Sequence, residues 1–226
     1  MIQLPRLYCI ADSSCASSTE DLVAFARELS AAGCTLLQYR NKSGNARVML
    51  EQARELRRVF AASKDQNPHF WQNQPEVGHP QRDCAVRLIM NDRADLCLAA
   101  EFDGVHVGQD DLSPESVRKI IGPDRWLGVS THNPEQLREA DLSSADYLAI
   151  GPVFATWSKE KPDPVVGLEG VRRARALTRK PLVAIGGITR ANVGSVIEAG
   201  ADSVAVISDL IKDPRKSAEE FLRILR

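Results

Sequence analysis

A chain of 226 residues with a net charge of −1, 43% hydrophobic and 26% charged residues has an ordinary globular composition and the length of an eight-stranded α/β barrel. Its near-neutral charge offers no field for nucleic acid, and no apolar run approaches the roughly 20 residues of a membrane span. Five cysteines without a C-x-x-C pair argue against a disulfide framework or a zinc knot, and an N-terminus unlike a signal peptide sets a cytoplasmic expectation.

The first strand is predicted over Leu7–Ala11, followed by a capping pattern, Ser17-Ser18-Thr19-Glu20, and a helix whose Leu22, Phe25, Ala26 and Leu29 recur at helical spacing up to Gly33. Thr35–Tyr39 is the second strand, and Ala46–Ala62 a helix with Met49, Leu50, Ala53, Leu56, Val59 and Phe60 on its apolar stripe. Residues 64–83 break the rhythm with three prolines and four glutamines and read as an inserted loop. Strand, helix and strand then follow over Val86–Met90, Arg93–Ala100 and Gly104–Val107. The remaining units pair Ser113–Ile121 with Trp126–Val129, Pro134–Ala140 with Tyr147–Ile150, Leu168–Leu177 with Leu182–Ile185 and Ala191–Ala199 with Ser203–Val206, before a last helix, Pro214–Leu225.

Eight βα units with short apolar strands specify a single closed (β/α)8 TIM barrel, with an open doubly wound sheet as the alternative. Position then implies chemistry, because barrel sites lie at the C-terminal ends of the strands. The expected rim carries Gln38, Arg40 and Lys42, then Asn91 and Asp92, Asp111, Ser130, the run Thr156, Ser158 and Lys159, Gly186-Gly187, and Ile207-Ser208. Asp92 and Asp111 are either solvated helix-capping aspartates or a pair for a hard cation such as Mg²⁺. Arg40, Lys42 and Lys159 are either surface cations or neutralise a leaving diphosphate, and the Gly186-Gly187 and Ile207-Ser208 turns suit a second phosphate. Two small phosphorylated substrates joined in a transfer reaction are the expected partners. His106 is expected to pack in the barrel interior. His132 is either a structural histidine or an acid–base group. The 64–83 insertion joins a helix to a strand and is expected on the face opposite the site.

The strings QYRNK, NDRADLCLAAEFDGVHVGQDDL, GVSTH, GPVFATWSK, VGLEG, AIGGI and AGADSVAVIS, in this order at consecutive βα positions, resemble the thiamine phosphate synthase family over almost the whole chain. The resemblance implies a (β/α)8 barrel that joins a hydroxymethylpyrimidine diphosphate to a thiazole phosphate and releases diphosphate. It implies a pyrimidine diphosphate site at Gln38, Tyr39, Arg40, Asn41, Lys42, Asn91, Ser130 and Lys159, of which Arg40, Lys42, Ser130 and Lys159 are catalytic. It places Mg²⁺ on Asp92 and Asp111, and the thiazole phosphate on Thr156, Trp157, Ser158, Gly187, Ile207 and Ser208. Tyr39, Ala155 and Ser158 depart from the family's usual Leu, Pro and Thr, and the 64–83 insertion is atypical. A thiazole tautomerase of the same superfamily, relying on a histidine near His132, and a non-catalytic barrel that senses a phosphorylated metabolite are the rival readings. A homo-oligomer is compatible with the sequence.

Overall fold

The computed structural model of the protein describes residues 2–62, 86–156 and 163–226. The described elements run β1 (Leu7–Asp12), α1 (Thr19–Ala31), β2 (Leu36–Arg40), α2 (Ala46–Ala62), β3 (Arg87–Asn91), α3 (Ala94–Ala99), β4 (Gly104–Val107), α4 (Pro114–Ile121), β5 (Trp126–Thr131), α5 (Pro134–Leu142), β6 (Tyr147–Ile150), α6 (Gly167–Leu177), β7 (Leu182–Ile185), α7 (Val193–Glu198), β8 (Ser203–Val206) and α8 (Pro214–Ile224). All neighbouring strands are parallel in the order β1 to β8, and β8 closes on β1 through Leu7↔Val204 and Cys9↔Val206. This is the expected closed barrel. The strands are buried on both faces because each separates two cores, which explains why they read as nearly unbroken apolar runs. The inner core holds Tyr8, Ile10, Leu36, Ile89, Tyr147, Ala149, Val183 and Ala205. The outer one packs Leu37, Leu88, Val105, Leu127, Leu148 and Val204 against helix residues such as Leu22, Leu29, Leu56 and Leu137.

Helix starts follow local chemistry. Ser18, Ser113, Asn133 and Asp213 each accept a hydrogen bond from an N–H of the first turn, and Pro114, Pro134 and Pro214 stand where a missing N–H costs nothing. Helix α7 begins two residues later than the sequence suggests. The Asn192 carboxamide is engaged with the Thr189 N–H and the Gly187 carbonyl, which holds residues 189–192 in a turn.

At the N-terminal end of the barrel one device occurs three times. Asp103, Asp146 and Asp202, each just ahead of an even-numbered strand, donate a backbone N–H to the carbonyl of Leu88, Leu127 or Leu182 on the preceding strand. Their carboxylates accept the N–H of that same leucine at 2.8 Å. An arginine from the second helix back, Arg57, Arg118 or Arg175, pairs with each carboxylate.

Connections from helix to strand on this face are uniform: residues 32–35, 100–103, 122–125, 143–146, 178–181 and 199–202, four apiece. Only the connection from α2 to β3, residues 63–86, departs from this length, and the expected insertion at 64–83 lies outside the described residues. Strand-to-helix connections on the opposite face vary widely, the longest being residues 151–166. Residues 63–86 apart, variation in connection length thus concentrates where barrel sites are built.

Candidate active site

The strands carry the site further than apolar patterning suggests. β2 runs to Arg40, β3 to Asn91 and β5 to Thr131, with Ser130↔Ala149 and Thr131↔Ile150 still paired to β6. Arg40, Asn91 and Ser130 therefore belong to strands and not to the loops expected for them. Backbone pairing continues after the side chains turn polar, so periodicity stops short of the true strand end.

Gln38, Arg40, Asn91, Ser130, Thr156, Gly187, Ile207 and Ser208 all line one cavity at the C-terminal mouth of the barrel, with apolar walls from Ile10, Ala149, Val183, Ile185 and Ala205. Asp92, Asp111 and Lys42 form an adjoining cluster on the rim. Lys42 Nζ is ion-paired with Asp92. Asp92 adopts φ 65°, a left-handed conformation that Asp tolerates better than most residues, and donates its N–H to the His106 carbonyl at 2.8 Å. Asp111 accepts the Gly108 N–H at 2.7 Å. Burial, and then the neighbouring Asp92 carboxylate, hold the Asp111 carboxyl above its usual range against the opposing pull of that N–H and of Lys42. The two aspartates expected to meet on the rim do meet.

Two of the residues expected at the pyrimidine site, Tyr39 and Asn41, turn their side chains away from the cavity. Tyr39 is fully buried on the outer face of β2, where its hydroxyl donates to Gln52 of α2 at 2.6 Å; burial raises it to about 12. Asn41 Nδ2 donates to the same Gln52 oxygen at 2.9 Å, and its Oδ1 accepts the Ser43 N–H. Alternation is the cause: with Gln38 and Arg40 facing inward, Tyr39 and Asn41 face α2. The departure at Tyr39 is thus accommodated in the outer core. Trp157, Ser158 and Lys159 lie outside the described residues.

The structure adds Asp12 and Asp163, which the motifs did not single out, and shows the settings of Asn91 and His132, which they did. Asp12, at the end of β1, is ion-paired with Arg40, while its other oxygen accepts from the Ser14 hydroxyl at 2.7 Å and the Ser14 N–H at 2.9 Å. The guanidinium is thereby held against the cavity wall. Asn91 Nδ2 is buried and has no partner among the described residues, leaving an unsatisfied donor there. His132 and Asp163 also line the cavity. His132 Nδ1 lies 2.6 Å from the Gly151 carbonyl and so carries its proton, and Nε2 lies 3.5 Å from Asp163.

Beneath the cavity runs a polar chain across five strands. Gln38 Nε2 donates to the Tyr8 hydroxyl at 2.9 Å, and the Tyr8 and Tyr147 hydroxyls lie 3.0 Å apart. Tyr147 is 3.1 Å from His106 Nδ1, and His106 Nε2 is 2.8 Å from Ser130 Oγ. Burial raises both phenols above their usual range and pushes His106 down to about 4, so the imidazole is neutral near pH 7. His106 is interior, as expected. Gly128 makes room for this chain: a Cβ there would fall 2.1 Å from Tyr147 Cζ and 2.4 Å from His106 Nδ1. The sequence signal for these residues is polar character at inward positions of otherwise apolar strands.

Across the mouth, Gly186 and Gly187 have φ of 102° and 62°, and a Cβ on Gly187 would lie 2.5 Å from the Ala155 carbonyl oxygen. Arg190 joins this turn to the one after β8 by donating its N–H to Asp209 at 2.9 Å. Backbone N–H groups in two such turns suit an anion.

The sequence profile of the thiamine monophosphate synthase family matches residues 63–210. The chain belongs to the thiamine monophosphate synthase family. A thiamine-phosphate synthase of Koribacter versatilis is 57% identical over 227 residues, covering 99% of this chain and 97% of the relative, and one of Chloroflexus aurantiacus is 38% identical over 97% and 92%. A thiamine phosphate pyrophosphorylase structure from Pyrococcus furiosus superposes with a TM-score of 0.78 at 32% identity, covering 97% of this chain and 95% of that one. This family places the protein among transferases. Among the described residues, no helix is long and apolar enough to cross a membrane.

Proposed function

We propose that the protein condenses an aminopyrimidine methyl diphosphate with a thiazole phosphate, giving thiamine phosphate and diphosphate. The observation that carries this reading is a single cavity flanked by two anion-binding arrangements of different kinds: cations and paired carboxylates at the ends of β2 to β4, and backbone turns with Ser208 after β7 and β8. An apolar wall between them accommodates two aromatic rings.

Two carboxylates held together, one disfavoured in its charged form by the other, fit a hard cation. With only two protein ligands, that cation would keep water and phosphate oxygens in its shell, as Mg²⁺ does. Asp92 and Asp111 would hold it, and bound there it would offset charge on the diphosphate oxygens. Arg40, fixed by Asp12, and Lys42 supply positive charge to the same diphosphate as its bond to the pyrimidine methylene breaks. Gln38 and Ser130 orient the pyrimidine, whose amino group delocalises the methylene cation until the thiazole nitrogen captures it. Thr156, Gly187, Ile207 and Ser208 hold the thiazole phosphate. No protein nucleophile is needed. The described cysteines Cys9, Cys15, Cys34 and Cys97 are free thiols, in keeping with a cytoplasmic setting.

Incubation with both substrates, with and without Mg²⁺, should release thiamine phosphate and diphosphate in equal amounts only when Mg²⁺ is present. Binding of the thiazole phosphate without either product would overturn the reading.

A further inference from the structure

We propose that the buried chain Gln38–Tyr8–Tyr147–His106 is a positioning device that fixes the polarity of Ser130, presenting its hydroxyl to the cavity as a hydrogen-bond donor. The argument is a count of protons. The Gln38 amide nitrogen can only donate, so the Tyr8 oxygen accepts; the Tyr147 oxygen 3.0 Å away is the other partner of the Tyr8 hydroxyl among the described residues, and the Tyr8 O–H donates to it. The Tyr147 proton then points to His106 Nδ1, which must be an acceptor. A neutral imidazole with a bare Nδ1 carries its proton on Nε2, and Nε2–H donates to Ser130 Oγ. Ser130, having accepted this bond, keeps its own proton for whatever enters the cavity it lines. The cavity therefore selects a group with a lone pair at this point, such as a heteroaromatic ring nitrogen, over an N–H at the same place. Every member except Ser130 is buried, and Tyr147 lies wholly behind the cavity wall that Tyr8, Gln38 and His106 help to form. This inference rests on the proposed reaction only for its kinetic test.

The tautomer of His106 is read by ¹⁵N NMR on histidine-labelled protein, its resonances identified by their loss in His106→Gln. A proton on Nε2 is expected in the wild type; a proton on Nδ1 would overturn the proposal. Gln38→Glu places a carboxylate, which only accepts, at the head of the chain, and is expected to reverse it and move the His106 proton to Nδ1. An unchanged tautomer in that variant would show that Gln38 does not set the direction. Kinetically, Tyr147→Phe is expected to lower kcat/KM about tenfold, the scale of one lost hydrogen bond. In a Ser130→Ala background the same change is expected to have almost no further effect, since Tyr147 acts through Ser130. Independent, multiplying effects would sink the positioning role. Lack of turnover in the wild type would instead count against the proposed reaction and leave the tautomer result standing.

Discussion

Asp111 shows most directly how one residue trades stability for chemistry. Its carboxyl is held above the usual range by burial and by Asp92, so the folded state binds its proton more tightly than the unfolded chain does. The sign follows: destabilisation begins as pH rises past the unfolded carboxylate value and is complete above the raised folded one. At neutral pH without a divalent cation, the charged form of Asp111 is therefore less favourable in the folded protein than in the unfolded chain. Asp111→Asn retains an oxygen for the Gly108 N–H and removes the like charge, so its melting temperature in chelator should rise by a few degrees at most. The same variant should lose any Mg²⁺-induced thermal shift and about 100-fold or more in kcat, because the diphosphate loses its counter-ion. Paired thermal melts with chelator and with Mg²⁺ across pH 4 to 8 separate the two effects. A lower melting temperature in chelator would mean that the Asp92–Asp111 contact is not repulsive.

Among the elements, the three aspartate clamps have a separate purpose from the site. Asp146 accepts the Leu127 N–H and Arg118 at the far end of the barrel, while Arg118 also donates to the carbonyls of Gly122, Arg125 and Ser144. In Asp146→Ala the arginine keeps three partners but the Leu127 N–H loses its acceptor, a cost of about 1–3 kcal/mol. We expect the melting temperature to fall by roughly 3–10 °C and kcat to stay within twofold. A large loss of kcat in folded protein would show that the clamp reaches the mouth. The clamp is also where sequence reading left information unused. Phe102-Asp103-Gly104-Val105, Ala145-Asp146-Tyr147-Leu148 and Ala201-Asp202-Ser203-Val204 share a pattern, an aspartate between a buried residue and a strand, that repeats with the barrel. Apolar periodicity located β4, β6, β7, β8 and α2 with their observed bounds, since those runs stop where the structure stops. It missed the last residues of β1, β2, β3 and β5 because polar side chains there serve the cavity while the backbone stays in the sheet. The motifs located Asp92, Asp111 and the two glycine and serine turns. Asp12 and the Tyr8–Tyr147 pair were not legible, because their partners lie far along the chain and only barrel closure brings them together.

For the whole molecule, the contrast between the two faces bears on residues 64–83. Six helix-to-strand connections have four residues, which shows that this spacing is enough to turn the chain from an outer helix into the next barrel strand. Removing 64–83 leaves Ser63, Cys84, Ala85 and Val86 between α2 and β3, again four. Shortening this connection about sixfold reduces the entropy of closing it by roughly 1.5 kcal/mol on a logarithmic scale. Both flanking elements place the junction at the N-terminal end of the strands, whereas Gln38, Arg40, Asn91 and Ser130 occupy the other end. The deletion should therefore give a protein that melts a few degrees higher and whose kcat/KM with both substrates stays within about twofold of the full chain. Calorimetry together with steady-state kinetics on the deleted protein decides the matter. If it melts cooperatively but turns over more than tenfold slower, the segment reaches the reaction from outside the barrel frame, and the division into a working face and a structural face does not hold for this chain.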